Sequence, residues 1–207
     1  MIAPLEALRR LREGNRRFEA GTLERDVLTG PARRGELVEG QNPFAVILGC
    51  SDSRVPAEIV FDQGLGDLFV IRVAGNVVAS SQIGSVEFAV EAFGTRLVVV
   101  MGHSGCGAIQ ATVDAVRRPE GDPSPNLRSI VDRIRPSVEA CLRDGGPEGD
   151  LVGRAVRANI RASGDQLRRG SEILRGKVEA DEVLVVGAEY ALESGVVEFF
   201  DGVPGEV

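Results

Sequence analysis

Two short glycine-rich stretches hold residue types able to bind a metal ion. Gly49-Cys50-Ser51-Asp52-Ser53-Arg54 carries a cysteine followed by an acid and a base. Gly102-His103-Ser104-Gly105-Cys106-Gly107 carries the chain's only histidine and a second cysteine. Two thiolates and an imidazole are a good zinc set. The H-x-x-C spacing lets His103 and Cys106 come from one turn, and Gly105 and Gly107 let the backbone bend close to an ion. Cys50 would arrive from a separate strand, which is usual for catalytic rather than finger-type zinc. With three strong ligands visible, the fourth position falls either to water, making the site catalytic, or to Asp52, closing it. Asp52 and Arg54 read in two ways. They are a surface ion pair in a turn, or an acid–base device in which Arg54 keeps Asp52 ionised and Asp52 accepts a proton from a metal-bound water. Taken singly, each cysteine reads as a small buried hydrophobe and the histidine as a hydrogen-bonded residue. Taken together, with glycines on both sides of Cys106, they favour a metal. The third cysteine, Cys141, sits in a helix-like stretch and reads as core. A redox pair is the weaker reading because no C-x-x-C occurs. The glycine-rich turn could also cradle an anion, but no Walker lysine or G-x-G-x-x-G accompanies it.

Five apolar runs must deliver these residues. Phe44–Leu48, Leu68–Ile71, Leu97–Met101 and Val183–Val186 are continuous rather than alternating, which predicts strands buried on both faces of a parallel sheet. Val196–Phe200, after Ser194-Gly195, predicts an edge strand added by a hairpin. The first and third runs end in the two glycine-rich stretches. Ligands bind outside the carboxyl ends of strands at a switch point of an open sheet, so adjacency of these two strands would unite Cys50, His103 and Cys106. Between the second and third strands a helix should start at a capping serine and end at Gly94. Further helices are expected after Gly107 and over 127–143 and 151–168. Leu5, Leu8 and Leu11 recur at helical spacing in the first segment, with Phe18 near its end. Their stripe packs either on the domain's own core or on a partner subunit. Arg10 and Arg17 are expected on the opposite face, and the stem of Arg12 is expected to pack. The whole predicts one α/β domain over 1–207, with a mostly parallel central sheet flanked by helices. It has an N-terminal helical arm (1–35), a zinc-binding core (36–207) and a C-terminal edge strand.

Composition narrows the function. A chain of 207 residues, 43% hydrophobic, is large enough for a real core. Lys+Arg number 24 against 31 Asp+Glu, a net charge of −7 that gives no general affinity for nucleic acid or anionic membrane. No apolar run approaches the roughly 18 residues of a membrane span. The first residues alternate charge with leucine, unlike a signal peptide. These features and the unpaired cysteine count predict a cytoplasmic location.

The motifs C-S-D-S-R-V-P and G-H-S-G-C-G resemble those of the β-class carbonic anhydrases. The resemblance extends to Gly14-Asn15-Arg16-Arg17-Phe18, to the stretch from Phe61 to Asn76, to Gly84-Ser85-Val86-Glu87-Phe88-Ala89-Val90, and to the ending from Val186 to Gly195. It covers roughly residues 1–200. It implies one zinc per chain on Cys50, His103 and Cys106, with Asp52 and Arg54 as catalytic dyad, and Asp52 as a metal ligand only in a closed inactive state. It implies a substrate-binding amide at Gln41 and an apolar carbon dioxide pocket at Phe69, Ala74 and Phe88, partly supplied by the neighbouring subunit. The activity implied is reversible hydration of carbon dioxide to bicarbonate by zinc-bound hydroxide, in a homodimer or higher homo-oligomer. Alternatives on the same fold are a carbon disulfide or carbonyl sulfide hydrolase and a non-catalytic zinc or bicarbonate-sensing protein. Some relatives bind bicarbonate at a second site, whose arginine and tyrosine fall on Arg72 and Tyr190. Its tryptophan falls on Ile47, and the chain has no tryptophan. With the sole histidine assigned to the metal, no second imidazole is left to carry the reaction's proton away. Two thiolates donate more charge than imidazoles, so activity should rise toward mildly alkaline pH.

Overall fold

The computed structural model describes residues 2–24, 29–118, 124–147 and 150–205. Residues 25–28 of the expected N-terminal arm lie outside the described residues. Five strands form one sheet: β1 (Ala45–Gly49), β2 (Leu68–Arg72), β3 (Leu97–His103), β4 (Leu184–Tyr190) and β5 (Val197–Asp201). Their spatial order is β2-β1-β3-β4-β5. The first four are mutually parallel, and β5 runs antiparallel on β4. Every residue of β1 and β3 is buried, as continuous apolar runs require of strands covered on both faces. Alternate residues feed two separate cores. Val46, Leu48, Val98 and Val100 face one, and Ala45, Ile47, Leu97 and Val99 face the other. The chain leaves β1 toward β2 and returns past it to β3, so the switch point lies between β1 and β3.

Helices α4 (Ser80–Phe93), α5 (Gly107–Arg117), α6 (Pro125–Arg143) and α7 (Leu151–Gly170) cover the first face. Gly94 ends α4 in the left-handed conformation expected of it, but the helix starts on Ala79 with no side-chain cap, correcting the serine cap. Three short helices were not expected from the sequence: α2 (Pro31–Glu36), α3 (Ala57–Val60) and α8 (Glu172–Glu179). The hydroxyl of Ser171 caps α8 by accepting from Leu174 N–H.

Helix α1 (Pro4–Glu19) lies on the other face, with Ala7, Leu8 and Leu11 in the chain's own core. Burying each of these two leucines stabilises this docking by roughly 1.5–3 kcal/mol, which favours the chain's own core over a partner for them, whereas Leu5, expected in the same stripe, is 37% exposed. The G-N-x-R-F stretch is its clamp. A Cβ on Gly14 would stand 1.7 Å from the Phe61 carbonyl oxygen, so only glycine lets the helix approach that closely. Asn15 donates to the Val60 and Gly195 carbonyls and accepts from Val197 N–H at 2.8 Å, tying α1 to α3 and to the β4–β5 hairpin. Arg17 and Arg10 depart from the outward positions expected of them. Arg17 pairs at 2.5 Å with Asp62, whose side chain is fully buried and needs a cation. Arg10 lies over the Phe44 ring and pairs with Asp67. Arg12, whose stem is expected to pack with its charge in water or on a carboxylate, instead sets its guanidinium over the Phe199 ring, 5.6 Å from the centroid.

Candidate metal centre

The strand ends deliver the three ligand candidates to one point. Cys50 follows the last residue of β1, His103 closes β3, and Cys106 immediately precedes α5. Their ligand atoms all lie within 4.8 Å of one another, and all three residues are buried. His103 Nδ1 lies 3.0 Å from the Ser104 carbonyl oxygen. Donation there puts the proton on Nδ1 and leaves Nε2 as the free lone pair. That Nε2 is buried and has no hydrogen-bond partner. An orphaned imidazole nitrogen beside two sulfurs is what a metal would satisfy, and the donor set fits zinc.

The electrostatics show the same convergence. Cys106 hydrogen-bonds Cys50, lowering the Cys50 thiol well below its usual range, with further help from His103 and from the amides of Asp52 and Gly75. Cys106 is pushed up by donating to the Cys50 thiolate and by burial, against the amides of Ile109 and Ala108 at the start of α5. The two sulfurs thus sit close enough to perturb one another in opposite directions. Burial lowers His103, but the Cys50 thiolate, the Ser104 carbonyl and the Asp52 carboxylate together leave it raised. A dication would displace the thiol proton and take both sulfurs as thiolates, its charge offsetting theirs.

The loop after Cys50 is organised around Asp52. Arg54 grips the carboxylate in bidentate fashion, Nε to Oδ1 at 2.9 Å and Nη2 to Oδ2 at 2.7 Å, and its backbone N–H adds a third bond to Oδ1. Hydrogen bonding by Arg54 holds Asp52 far below the ordinary carboxylate range. Asp52 Oδ2 stands 3.8 Å from His103 Nε2, next to the ligand cluster. Arg72, at the end of β2, donates to the Cys50 carbonyl at 3.0 Å and to the Asp52 carbonyl at 2.6 Å, so it fixes the loop's backbone. Gly75 N–H donates to Cys50 Sγ at 3.4 Å. Sequence reasoning missed these last two roles. The resemblance singles out Arg72 only for a second, effector site, and a backbone donor carries no residue signature.

Of the remaining candidates only Ala74, beside Gly75, shares the neighbourhood of Cys50 within one chain. Phe69 pairs in register with Val46, four residues or about 13 Å back along the strand from Cys50. It clusters there with Phe88 and Phe93, ring centroids 6.3 and 6.0 Å away, and Phe88 is 55% exposed. Gln41 is exposed in the loop before β1, beyond the strand's other end, beside Leu37, Val38 and Gly66. Ile47 is fully buried beneath α1. Tyr190, buried against Phe18 with ring centroids 6.2 Å apart, belongs to the same core. Arg72 and Tyr190 sit three strand positions apart, roughly 14 Å of sheet.

Comparison with known proteins gives a consistent picture. A family model described as carbonic anhydrase matches residues 45–197. The chain is 40% identical to carbonic anhydrase 2 of Mycobacterium tuberculosis over 194 residues, covering 93% of this chain and 90% of that protein. It is 41% identical to a carbonic anhydrase of Mycolicibacterium smegmatis over 196 residues, covering 94% and 92%. Among solved structures it resembles the β-carbonic anhydrase CcaA, with a TM-score of 0.70 at 28% identity over 94% of this chain and 95% of that one. A Sordaria macrospora structure described as a tetrameric β-carbonic anhydrase shares the fold, with a TM-score of 0.73 at 22% identity over 83% and 87%.

Proposed function

The chain belongs to the β-carbonic anhydrases and is a carbonate dehydratase, and from that premise we propose that it hydrates carbon dioxide reversibly at one zinc per chain held by Cys50, His103 and Cys106. The observation that carries this lyase reading is that His103, whose buried Nε2 has no partner, brings a ring nitrogen within 4.8 Å of both sulfurs. Bound there, zinc supplies a nucleophile by lowering the pKa of water from 15.7 to about 7.

The chain's own residues do the rest. Asp52, kept ionised and aimed by Arg54, accepts the hydrogen of the attacking oxygen and turns its lone pair toward the substrate carbon. Arg72 holds the carbonyls behind Cys50 and Asp52, so ligand and base keep one geometry. Ala74 supplies apolar wall. Gln41, Phe69 and Phe88, remote from the chain's own cluster, serve the site of a second copy, where the Gln41 amide donates to a substrate oxygen. The half-exposed Phe88 cluster supports this reading of a homodimer or larger assembly. The bidentate Asp52–Arg54 pairing favours an open resting site over an Asp52-ligated one. Ile47 replaces the indole of the effector site, and Arg72 is already committed to two carbonyls, which argues against bicarbonate control through Arg72 and Tyr190. Among the described residues no helix is long and apolar enough to cross a membrane. The proton leaves by Asp52, another carboxylate or buffer.

Stopped-flow carbon dioxide hydration and zinc analysis test the reading together. Wild type should bind zinc and hydrate carbon dioxide, with rates rising toward alkaline pH. Cys106→Ser should lose both zinc and activity. Asp52→Asn should keep zinc and lose about 100-fold or more in rate. Background hydration by a fully zinc-loaded wild type would favour the sensing alternative, and turnover of carbon disulfide or carbonyl sulfide in its place would favour that hydrolase.

A further inference from the structure

Two buried polar side chains on α7 have no part in the reading above. Asn159 and Ser163 are 2% and 4% exposed, one helical turn apart, on a face otherwise built from Ala155, Val156, Ile160 and Leu167. Both reach out of the helix to one turn. Asn159 Nδ2 donates to the Gly75 carbonyl at 2.8 Å, and Ser163 Oγ donates to the Asn76 carbonyl at 3.1 Å.

That turn is an expensive piece of backbone. Gly75 and Asn76 both take positive φ, 68° and 44°, the second without glycine's freedom. Asn76 Nδ2 is also buried with no partner. Docking α7 requires none of this, since apolar residues pack a helix on a sheet without polar groups to satisfy. What the turn delivers is the Gly75 N–H, aimed at Cys50 Sγ at 3.4 Å. Between the two polar residues, Ile160 packs against Gly102, directly before His103. One face of α7 thus backs the end of β3 that carries His103 and the turn that donates to Cys50.

We propose that Asn159 and Ser163 are positioning residues of the metal centre: they lock the Gly75–Asn76 turn so that the Gly75 N–H stays on the Cys50 sulfur. The proposal rests on the reading of Cys50, His103 and Cys106 as metal ligands. An N–H donor on a thiolate withdraws charge from it and fixes its direction, and losing such outer support costs 10–100-fold in metal affinity where it has been removed.

The test uses the full-length protein loaded with cobalt(II), whose thiolate-to-metal charge-transfer band reports the sulfur directly. Asn159→Ala should move the band to lower energy and speed metal loss to a chelator by about tenfold. Ala155→Gly, in the same helix but away from the turn, should lower thermal stability and change neither readout. Should Asn159→Ala fail to fold, Ser163 carries the test. Ser163→Ala should shift band and release rate, and Ser163→Thr, which keeps the hydroxyl, should match wild type. Variants that lose stability yet keep the wild-type band and release rate would overturn the proposal. A wild-type chain that takes up no metal would instead remove the zinc reading beneath it.

Discussion

Asp52 and Arg54 make one device, and their contributions separate by what is measured. Hydrogen bonding from Arg54 depresses Asp52 strongly. The sign follows: the carboxylate is ionised throughout the near-neutral range, and any stability from the pair is lost only as pH falls through the depressed pKa. Removing Arg54 lets Asp52 return toward about 3.9, still well below neutrality. Arg54→Ala should therefore leave the midpoint of the pH–rate profile unmoved while lowering kcat about tenfold or more, through a carboxylate that is charged but badly aimed. A midpoint that moved with Arg54 would mean that the arginine sets ionisation rather than direction. Thermal stability should hardly change, because Arg54 is more than half exposed and exposed pairs contribute little. Cys50, His103, Cys106 and the Asp52–Arg54 pairing were legible in the sequence because scarce residue types stand among glycines at strand ends. Asn159 and Ser163 were not. A lone amide and a hydroxyl in an arginine-rich helix carry no mark of the remote carbonyls that they serve.

Elements were legible in proportion to the length of their pattern. Continuous apolar runs forecast each strand to within a few residues, and β1 and β3 are buried on both faces as such runs require, whereas β2, at the sheet edge, is only half-buried despite its equally continuous run. Helices α2 and α3, of six and four residues, are too short to display a period. The inward turn of Arg10 and Arg17 depended on Asp67 and Asp62, about fifty residues away in sequence. The docking of α1 has a sharp test. Gly14→Ala places a methyl carbon into the Phe61 carbonyl, which neither backbone can avoid without moving. It should destabilise by about 3 kcal/mol, the upper end for overpacking, and lower Tm by roughly 6–12 °C in a chain of this size. Asn15→Ala should act in the same direction by orphaning the Val197 N–H and two carbonyls. Differential scanning calorimetry measures both. Because Gly14 and Asn15 meet Phe61, Gln63, Val60, Gly195 and Val197 and none of the three ligand candidates, zinc content should survive each substitution that still folds.

At the scale of the molecule, the pocket residues expected by resemblance divide between the two ends of the strands, a division that the proposed homo-oligomer would reunite. Cys50, His103, Cys106, Asp52 and Ala74 meet at the carboxyl ends of β1 and β3, while Gln41, Phe69 and Phe88 lie toward the opposite ends of the strands. Sequence spacing cannot reveal this division, since neighbours along a strand and neighbours across an interface look alike in one dimension. A symmetric pair would give each site the ligands of one copy and the amide and rings of the other. Subunit mixing then makes a definite prediction. Cys106→Ser lacks metal but keeps Gln41, and Gln41→Ala keeps metal but lacks the amide. In a hybrid dimer one site is defective twice and the other is whole. Random reassortment of equal amounts makes half the dimers hybrid, so the mixture should regain about a quarter of wild-type activity per chain. Sites built within single chains would give only the mean of the two separate variants. The measurement is stopped-flow hydration before and after reversible dissociation and reassociation of the mixture, with each variant taken through the same cycle alone as its own baseline.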